Sequence, residues 1–219
     1  MSKYPEYKHT KSRAWFDRAL EVIPSGIYGH LGPSEGLFLP LEKWPLLSSK
    51  AQGTYFWDMD GNRYLDLMCA YGPNVLGYGD PDVDRAAMEQ LMTGNCTTAP
   101  SYKMVECAEL LVDTVAMADW AFFMKNGTDA TTFSVLTARA HTGKRKTMFL
   151  RGYYHGNDPW AMKADYPGIL PEEVAHNILV PWFDLPAMEA AYEACGGDVA
   201  ALIAPVSYKH LRAHETTLH

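Results

Sequence analysis

The stretch Phe122–Thr132 places a short apolar run, a glycine and a threonine directly before a predicted helix. The first N–H groups of a helix have no intrahelical partner, and the helix dipole adds partial positive charge at that end. Gly127 would let a ligand approach the backbone, and Thr128 adds a hydroxyl donor. These features suit a phosphate group. Many strand–glycine–helix turns bind nothing, so a purely structural turn is the alternative.

A second stretch that could carry chemistry, Arg151–Asp158, follows the next predicted strand. Ligands of open parallel sheets bind beyond the carboxyl ends of the strands. Tyr154 and His155 are therefore expected to face the same crevice as Gly127 and Thr128, where an aromatic ring could stack on a flat heterocycle. A tyrosine packed on its own loop and a histidine bonded to backbone is the alternative. Neither stretch is a Walker A loop or a G-x-G-x-x-G fingerprint, so nothing indicates a nucleotide.

The elements that must position these two stretches alternate between helix and strand. Helical spacing or capping predicts helices at Ser12–Val22, 81–91 after Asp80, 101–115, Thr128–His141 and Pro186–Cys195. Short apolar runs predict strands at Trp120–Met124, Thr147–Leu150 and Val199–Ala204. The aromatic runs on either side of Asp60-Gly61 predict a β-hairpin. Such alternation predicts an α/β fold, with a mostly parallel sheet and helices on both of its faces.

The composition of the chain excludes several classes of protein. The 219 residues carry a net charge of −7 and are 47% hydrophobic, which excludes a disordered or collagen-like chain. The acidic balance argues against nucleic acid as a partner. No run approaches the ~18 apolar residues of a membrane helix, and the charged start Met1–Lys8 lacks the apolar core of a signal peptide. We therefore expect a cytoplasmic protein with no membrane partner, and four free, buried cysteines.

Several motifs in a fixed order resemble the class III pyridoxal-phosphate (PLP) aminotransferases, and within them the group similar to glutamate-1-semialdehyde 2,1-aminomutase. The resemblance runs from about Arg18 to Val206. Trp57–Asp66 is close to the family hairpin W-D-x-D-G-N-x-Y-x-D, and Asn126–Ala130 stands where the family usually has S-G-T-E-A. The other matching segments are Ala19–Gly26, Ala138–Lys144 and Tyr154–Gly156.

The resemblance implies the type I PLP-dependent transferase fold, present here incompletely. Residues 1–70 would be an N-terminal segment with the helix, loop and hairpin of the small domain. Residues 71–206 would be part of the large PLP-binding domain. The implied reaction transfers or relocates an amino group through a Schiff base, between small-molecule donors and acceptors. The full-length parent would be a homodimer.

The resemblance also assigns a cofactor, pyridoxal 5'-phosphate, and five residues that bind it. Gly127 and Thr128 would hold its phosphate with Asn126 beside them, Tyr154 would stack on its ring, and His155 would lie next to the ring. Asn126 and Asp129 replace the usual Ser and Glu. Ala204 stands where the family has the acidic residue of E-P-V. That change weakens a specific assignment as the aminomutase and leaves the substrate open.

The family also needs an aspartate at the pyridine nitrogen and a Schiff-base lysine, and this chain contains neither at the expected place. Lys163 precedes the strand that should carry the aspartate, and Lys209 follows Val206 too closely. No catalytic residue is therefore assigned. We expect the chain made alone to be poorly soluble and inactive, because its parallel sheet would have an uncovered edge.

Residues 207–219 resemble the translation of a sequencing adapter and are expected to be a non-native tail. His210 and His214 in this tail have the i, i+4 spacing of a zinc pair, but no third ligand accompanies them, so no metal is assigned.

Two other functions stay open beside the enzyme. One is a non-catalytic module of the same fold that binds a phosphate ligand, and the other is a generic phosphate-binding α/β protein.

Overall fold

A computed structural model describes residues 6–27, 45–152 and 154–204. The predicted tail 207–219, with its histidine pair, lies outside them. The described residues fall into two compact units, one ending at Ser101 and the other beginning at Tyr102. The domain division predicted at residue 70 stays a prediction.

The first unit contains two helices and a three-stranded antiparallel sheet. Its elements are α1 (Thr10–Leu20), β1 (Ser48–Gln52), β2 (Tyr55–Asp58), β3 (Arg63–Leu65) and α2 (Pro81–Thr93). The sheet order is β1-β2-β3, so the hairpin predicted around Asp60-Gly61 is confirmed. Strand β1 was not predicted, because Ser48–Gln52 is polar and exposed along its whole length.

The turn of this hairpin is built around a buried carboxylate. Asp58 is fully buried and accepts hydrogen bonds from the backbone N–H of Asp60 and Asn62, each at 2.9 Å. The Tyr64 hydroxyl donates to the same carboxylate at 3.0 Å. Because a buried carboxylate is costly unless its oxygens are hydrogen-bonded, these contacts hold the turn in one conformation.

The second aspartate of the turn caps α1. The carboxylate of Asp60 accepts the backbone N–H of Lys11 at 2.8 Å and that of Ser12 at 2.7 Å. These N–H groups belong to the first turn of α1, and the preceding residue, His9, makes no side-chain cap. Burial alone would raise the pKa of Asp60, but the hydrogen bonds from Lys11 and Ser12 outweigh it and the pKa lies below its ordinary value.

We predict that Asp60→Ala speeds amide hydrogen exchange at Lys11 and Ser12 about fivefold, since a helix cap contributes about 1 kcal/mol. The control is Asp17→Ala, which removes an exposed ion pair with Arg13 and should change little. Because the pKa of Asp60 is lowered by folding, its contribution is present at neutral pH and is lost as the pH falls below about 4. Equal exchange in wild type and Asp60→Ala would contradict the capping role.

Helix α2 begins as predicted. The Asp80 side chain accepts the backbone N–H of Asp82 and of Val83 at 3.1 Å, and Pro81 occupies the first turn, where its missing N–H costs nothing.

The second unit carries the predicted parallel sheet. Its elements are α3 (Lys103–Thr114), α4 (Gly127–Thr142), β4 (Lys146–Leu150), α5 (Pro171–Val174), β5 (Asn177–Val180), α6 (Leu185–Ala194) and β6 (Val199–Ile203). The sheet order is β5-β4-β6, and both pairs are parallel. Strand β5 was not predicted.

Helices cover both faces of this sheet, as predicted. Alternate residues of a strand point to opposite faces. On one face Met148 and Leu150 pack with Val180 and with Met188 of α6. On the other face Thr147 accepts a hydrogen bond at 3.3 Å from Arg139 of α4. Four of the five residues of β4 are buried, as expected for the central strand.

The strand predicted at Trp120–Met124 is wrong. This segment is extended but irregular, and within the described part of the chain no strand pairs with it. Trp120 is 66% exposed and Phe122 is 59% exposed, with the Phe122 ring stacked on Phe133 of α4 at 4.8 Å. An apolar run becomes a strand only when a neighbour accepts its backbone hydrogen bonds. Here one side of it lies along α4 and borders a second cleft of about 480 Å³.

The cysteines are free, as predicted, but they are not buried. Cys69, Cys96 and Cys107 are exposed, and Cys195 is half-buried. Many apolar side chains of the described part are exposed as well, so these thiols have no surrounding core to bury them. None of the described helices is both long and apolar enough to cross a lipid bilayer.

Candidate functional site

A cleft of about 730 Å³ in the second unit brings the five predicted site residues together. It lies where α4 begins and where the loop after β4 turns back. The residues that line it are Asn126, Gly127, Thr128, Asp129, Thr131, Tyr154, His155, Gly156, Asn157, Ile203 and Ala204. The two stretches that the sequence singled out therefore face one crevice, at the carboxyl ends of β4 and β6.

The first turn of α4 is prepared for an anion. The side chain of Asn126 caps the helix by accepting the backbone N–H of Asp129 at 2.9 Å. The N–H groups of Gly127 and Thr128 come before the first intrahelical donor, so they are available to a ligand. A Cβ added at Gly127 would meet nothing within 4 Å, so it would occupy open space at the helix start. Glycine keeps this space accessible.

The hydroxyl of Thr128 is oriented by the neighbouring loop. Its Oγ1 accepts the backbone N–H of Asn157 at 3.2 Å. Because that contact uses a lone pair of the oxygen, the hydroxyl proton is left to donate elsewhere. Thr128 lines the cleft, so a phosphate oxygen there would be a suitable acceptor.

His155 is the buried member of the site. The residue is 7% exposed, and its ring centroid lies 5.2 Å from that of Phe149. Burial lowers the pKa of His155, and a hydrogen bond to the backbone of Leu150 opposes that shift only in part. The Nε2 atom is buried without a hydrogen-bond partner among the described residues. The neutral ring is therefore the stable form in this fold.

Tyr154, in contrast to the buried His155, is 57% exposed and lies at the mouth of the cleft. An exposed aromatic next to a polar cradle suits a flat ligand. The β6 side of the cleft is apolar, since Ile203 and Ala204 form it. The residues present thus fit a compound with a phosphate at one end and a flat ring at the other. No lysine is among the described residues that line the cleft.

The lowered pKa of His155 predicts a pH dependence of stability. The unfolded chain takes up a proton near pH 6.5, whereas the buried ring resists protonation. We expect the free energy of unfolding to be independent of this group above about pH 6.5 and to fall as the pH drops below that value. Urea unfolding of wild type and His155→Phe, compared across this range, measures the effect. A pH dependence that is identical in the two proteins would contradict it.

A protein-family model that matches more than half of the chain shows which family the chain belongs to. Residues 40–170 match the family model described as aminotransferase class III. The chain belongs to the class III aminotransferase family. The resemblance predicted from the motifs is confirmed by this match.

The curated proteins that are similar in sequence include an aminotransferase and an aminomutase. An aminopentol aminotransferase of Sphingopyxis macrogoltabida is 40% identical over 195 residues, which are 89% of this chain and 45% of that protein. Glutamate-1-semialdehyde 2,1-aminomutase 2 of an Exiguobacterium species is 31% identical over 208 residues, which cover 90% of this chain and 47% of that protein. The chain thus spans less than half the length of these curated relatives.

Among solved structures, the PLP internal aldimine form of the FumI protein of Sphingopyxis sp. MTA144 superposes with a TM-score of 0.81 at 40% identity. The match covers 89% of this chain and 46% of that one. The α/β fold predicted from the sequence is therefore confirmed as part of the type I PLP-dependent transferase fold.

The cleft also contains residues that sequence reasoning did not assign. Thr131 and Asn157 contribute hydrogen bonds that join α4 to the loop, as described for Asn157 above. In the sequence, Gly156 stands out only as part of the matching segment Tyr154–Gly156. Its φ of +123° and its close approach to α4 explain why a glycine stands at this position. A threonine three residues after Thr128 was the one available signal in the sequence, and threonines stand at that spacing in many helices that bind nothing.

Proposed function

We propose that this chain provides the phosphate and ring contacts of a PLP site in a class III enzyme that transfers or relocates an amino group. One observation carries the proposal. Residues from two separate segments, Asn126–Thr128 and Tyr154–His155, line a single cleft at the start of α4. A helix N-terminus with a nearby hydroxyl suits a phosphate dianion, and an exposed aromatic suits a flat ring.

Each proposed residue has a separate task. The N–H groups of Gly127 and Thr128 and the Thr128 hydroxyl would bind the phosphate, while Asn126 keeps the helix start in place. Tyr154 would cover one face of the ring. The neutral, buried ring of His155 would support the loop beside it without adding charge. When bound, PLP supplies an electron sink for bond cleavage next to an amino group.

Of the two reactions in the family, transfer between two molecules has the better support. The 40% identical relative is named an aminotransferase, whereas the aminomutase relative is 31% identical. Ala204 also stands where the family has an acidic residue, a change that weakens a specific assignment as the aminomutase. The amino donor and acceptor would be small molecules.

Pyridoxamine 5'-phosphate is the suitable probe for this site, because its amine cannot condense with lysines elsewhere in the protein. Binding is followed by quenching of tryptophan fluorescence, at sub-micromolar protein so that the exposed apolar side chains do not cause association. We predict saturable binding that inorganic phosphate displaces. Pyridoxamine, which lacks the phosphate, should bind at least tenfold more weakly, since hydrogen bonds to a charged group contribute about 1.5–3 kcal/mol.

Thr128→Ala should weaken the binding of pyridoxamine 5'-phosphate about tenfold, because one charge-assisted hydrogen bond is lost. Thr137→Ala is the matched control: Thr137 lies on the same helix but lines the second cleft, so its removal should leave the affinity unchanged. If pyridoxamine and its phosphate bound equally well, the site would not be a phosphate site and the proposal would fail.

We further infer that the intact enzyme is a cytoplasmic homodimer. The family resemblance supports the dimer, and the four free cysteines suit a reducing compartment. Sedimentation equilibrium of the intact enzyme should give twice the mass of one subunit. A monomer that is fully active would contradict the inference.

A further inference from the structure

Thr131 connects the helix of the site to the loop of the site. Its Oγ1 lies 3.0 Å from the backbone carbonyl of Thr128, one turn earlier in α4, and 3.0 Å from the backbone carbonyl of His155. A hydroxyl has one proton, so it is shared between these two acceptors. The second contact crosses from α4 to the loop, and it fixes the main chain at the residue that follows Tyr154.

Gly156 allows the loop to come this close. Its φ of +123° is a conformation that side chains rarely adopt. A Cβ at this position would also lie 3.2 Å from Oγ1 of Thr131 and 3.3 Å from Oγ1 of Thr128. The next residue then places its N–H against Thr128, which is the contact that orients the Thr128 hydroxyl. The approach at Gly156 and the polarity of the phosphate cradle are thus physically linked.

The other end of the loop has an anchor of its own. The Thr132 hydroxyl donates to the carboxylate of Asp158, and the indole Nε1 of Trp160 donates to Thr132 Oγ1 at 2.9 Å. Trp160 also packs against Phe149 of the central strand, with ring centroids 5.6 Å apart. Because this end is held independently, loss of the Thr131 contact should loosen residues 154–157 without releasing the whole loop.

We propose that Thr131 and Gly156 are positioning residues, which hold the Tyr154–His155 segment against the first turn of α4 so that one ligand contacts both at once. The inference rests on the proposed function for the identity of the ligand, but the connection itself is a property of the chain without ligand. It adds to the five predicted residues two whose role is argued from their contacts within the protein.

The physical benefit of this connection is preorganisation. A ligand with a phosphate and a ring gains from both contacts only if the two protein segments keep a fixed separation. If residues 154–157 move freely, binding of the phosphate no longer brings the ring to Tyr154. Inorganic phosphate uses the N–H groups of α4, and only the orientation of the Thr128 hydroxyl depends on the loop, so its affinity should fall less than that of the whole compound.

The first test needs no ligand. Amide exchange, followed by NMR, should be about fivefold faster at Asn157 in Thr131→Val, since one hydrogen bond contributes about 1 kcal/mol. Thr131→Ser keeps the hydroxyl and should restore the wild-type rate, and Thr137→Val is the control on the same helix. The amide of Phe149 in β4 should exchange at an unchanged rate. No change at Asn157, or an equal change at Phe149, would overturn the proposal, because the hydroxyl would then be either dispensable or general support of the core.

The second test separates this inference from the proposed function. Thr131→Val and Gly156→Ala should each weaken pyridoxamine 5'-phosphate about fivefold and weaken inorganic phosphate clearly less. Thr128→Ala should weaken both ligands. If Thr131→Val weakened both ligands equally, positioning of the loop would be the wrong explanation. If wild type bound neither ligand while the exchange result held, the cofactor assignment would fail and the connection between helix and loop would stand.

Discussion

The site depends on how closely a loop can approach the start of one helix. The first turn of α4 must leave its N–H groups open to a ligand and at the same time accept the main chain of residues 155–157 against its side. Two threonine hydroxyls and one glycine without a Cβ make this possible. Polar contacts in this place also satisfy backbone groups that would otherwise be buried without partners.

The rest of the second unit serves that approach. Strand β4 lies between β5 and β6, so its carboxyl end is held from both sides. The loop leaves β4 directly, and its first backbone contact, from the N–H of Arg151 to the carbonyl of Val180 at 2.8 Å, prolongs the ladder with β5. The position of the loop is therefore set by the sheet and by α4 together. A mobile surface loop would lack both supports.

Local signals in the sequence were sufficient for the start of helix α2. Asp80 before Pro81 specifies this start through side-chain hydrogen bonds that involve only near neighbours. Trp120–Met124 could not be predicted in this way, since an apolar run forms a strand only where a neighbour is available. The role of Thr131 was equally hidden, because its partner is 24 positions away in the chain. The family resemblance supplied the five site residues, but not the contacts that hold them.

The family motif in the hairpin of the first unit has a structural role, which is to cap helix α1. Asp58 and Asp60 belong to the W-D-x-D-G-N segment, and both carboxylates are engaged with backbone N–H groups. Asp60 reaches its partner helix across 48 positions of sequence. Short isolated helices are marginal in water, because nucleation costs more than the first hydrogen bond returns. The stability of helix α1 therefore depends on the hairpin. A peptide of residues 6–23 should be largely unstructured. During synthesis, the helix should become stable only after residue 60 has left the ribosome.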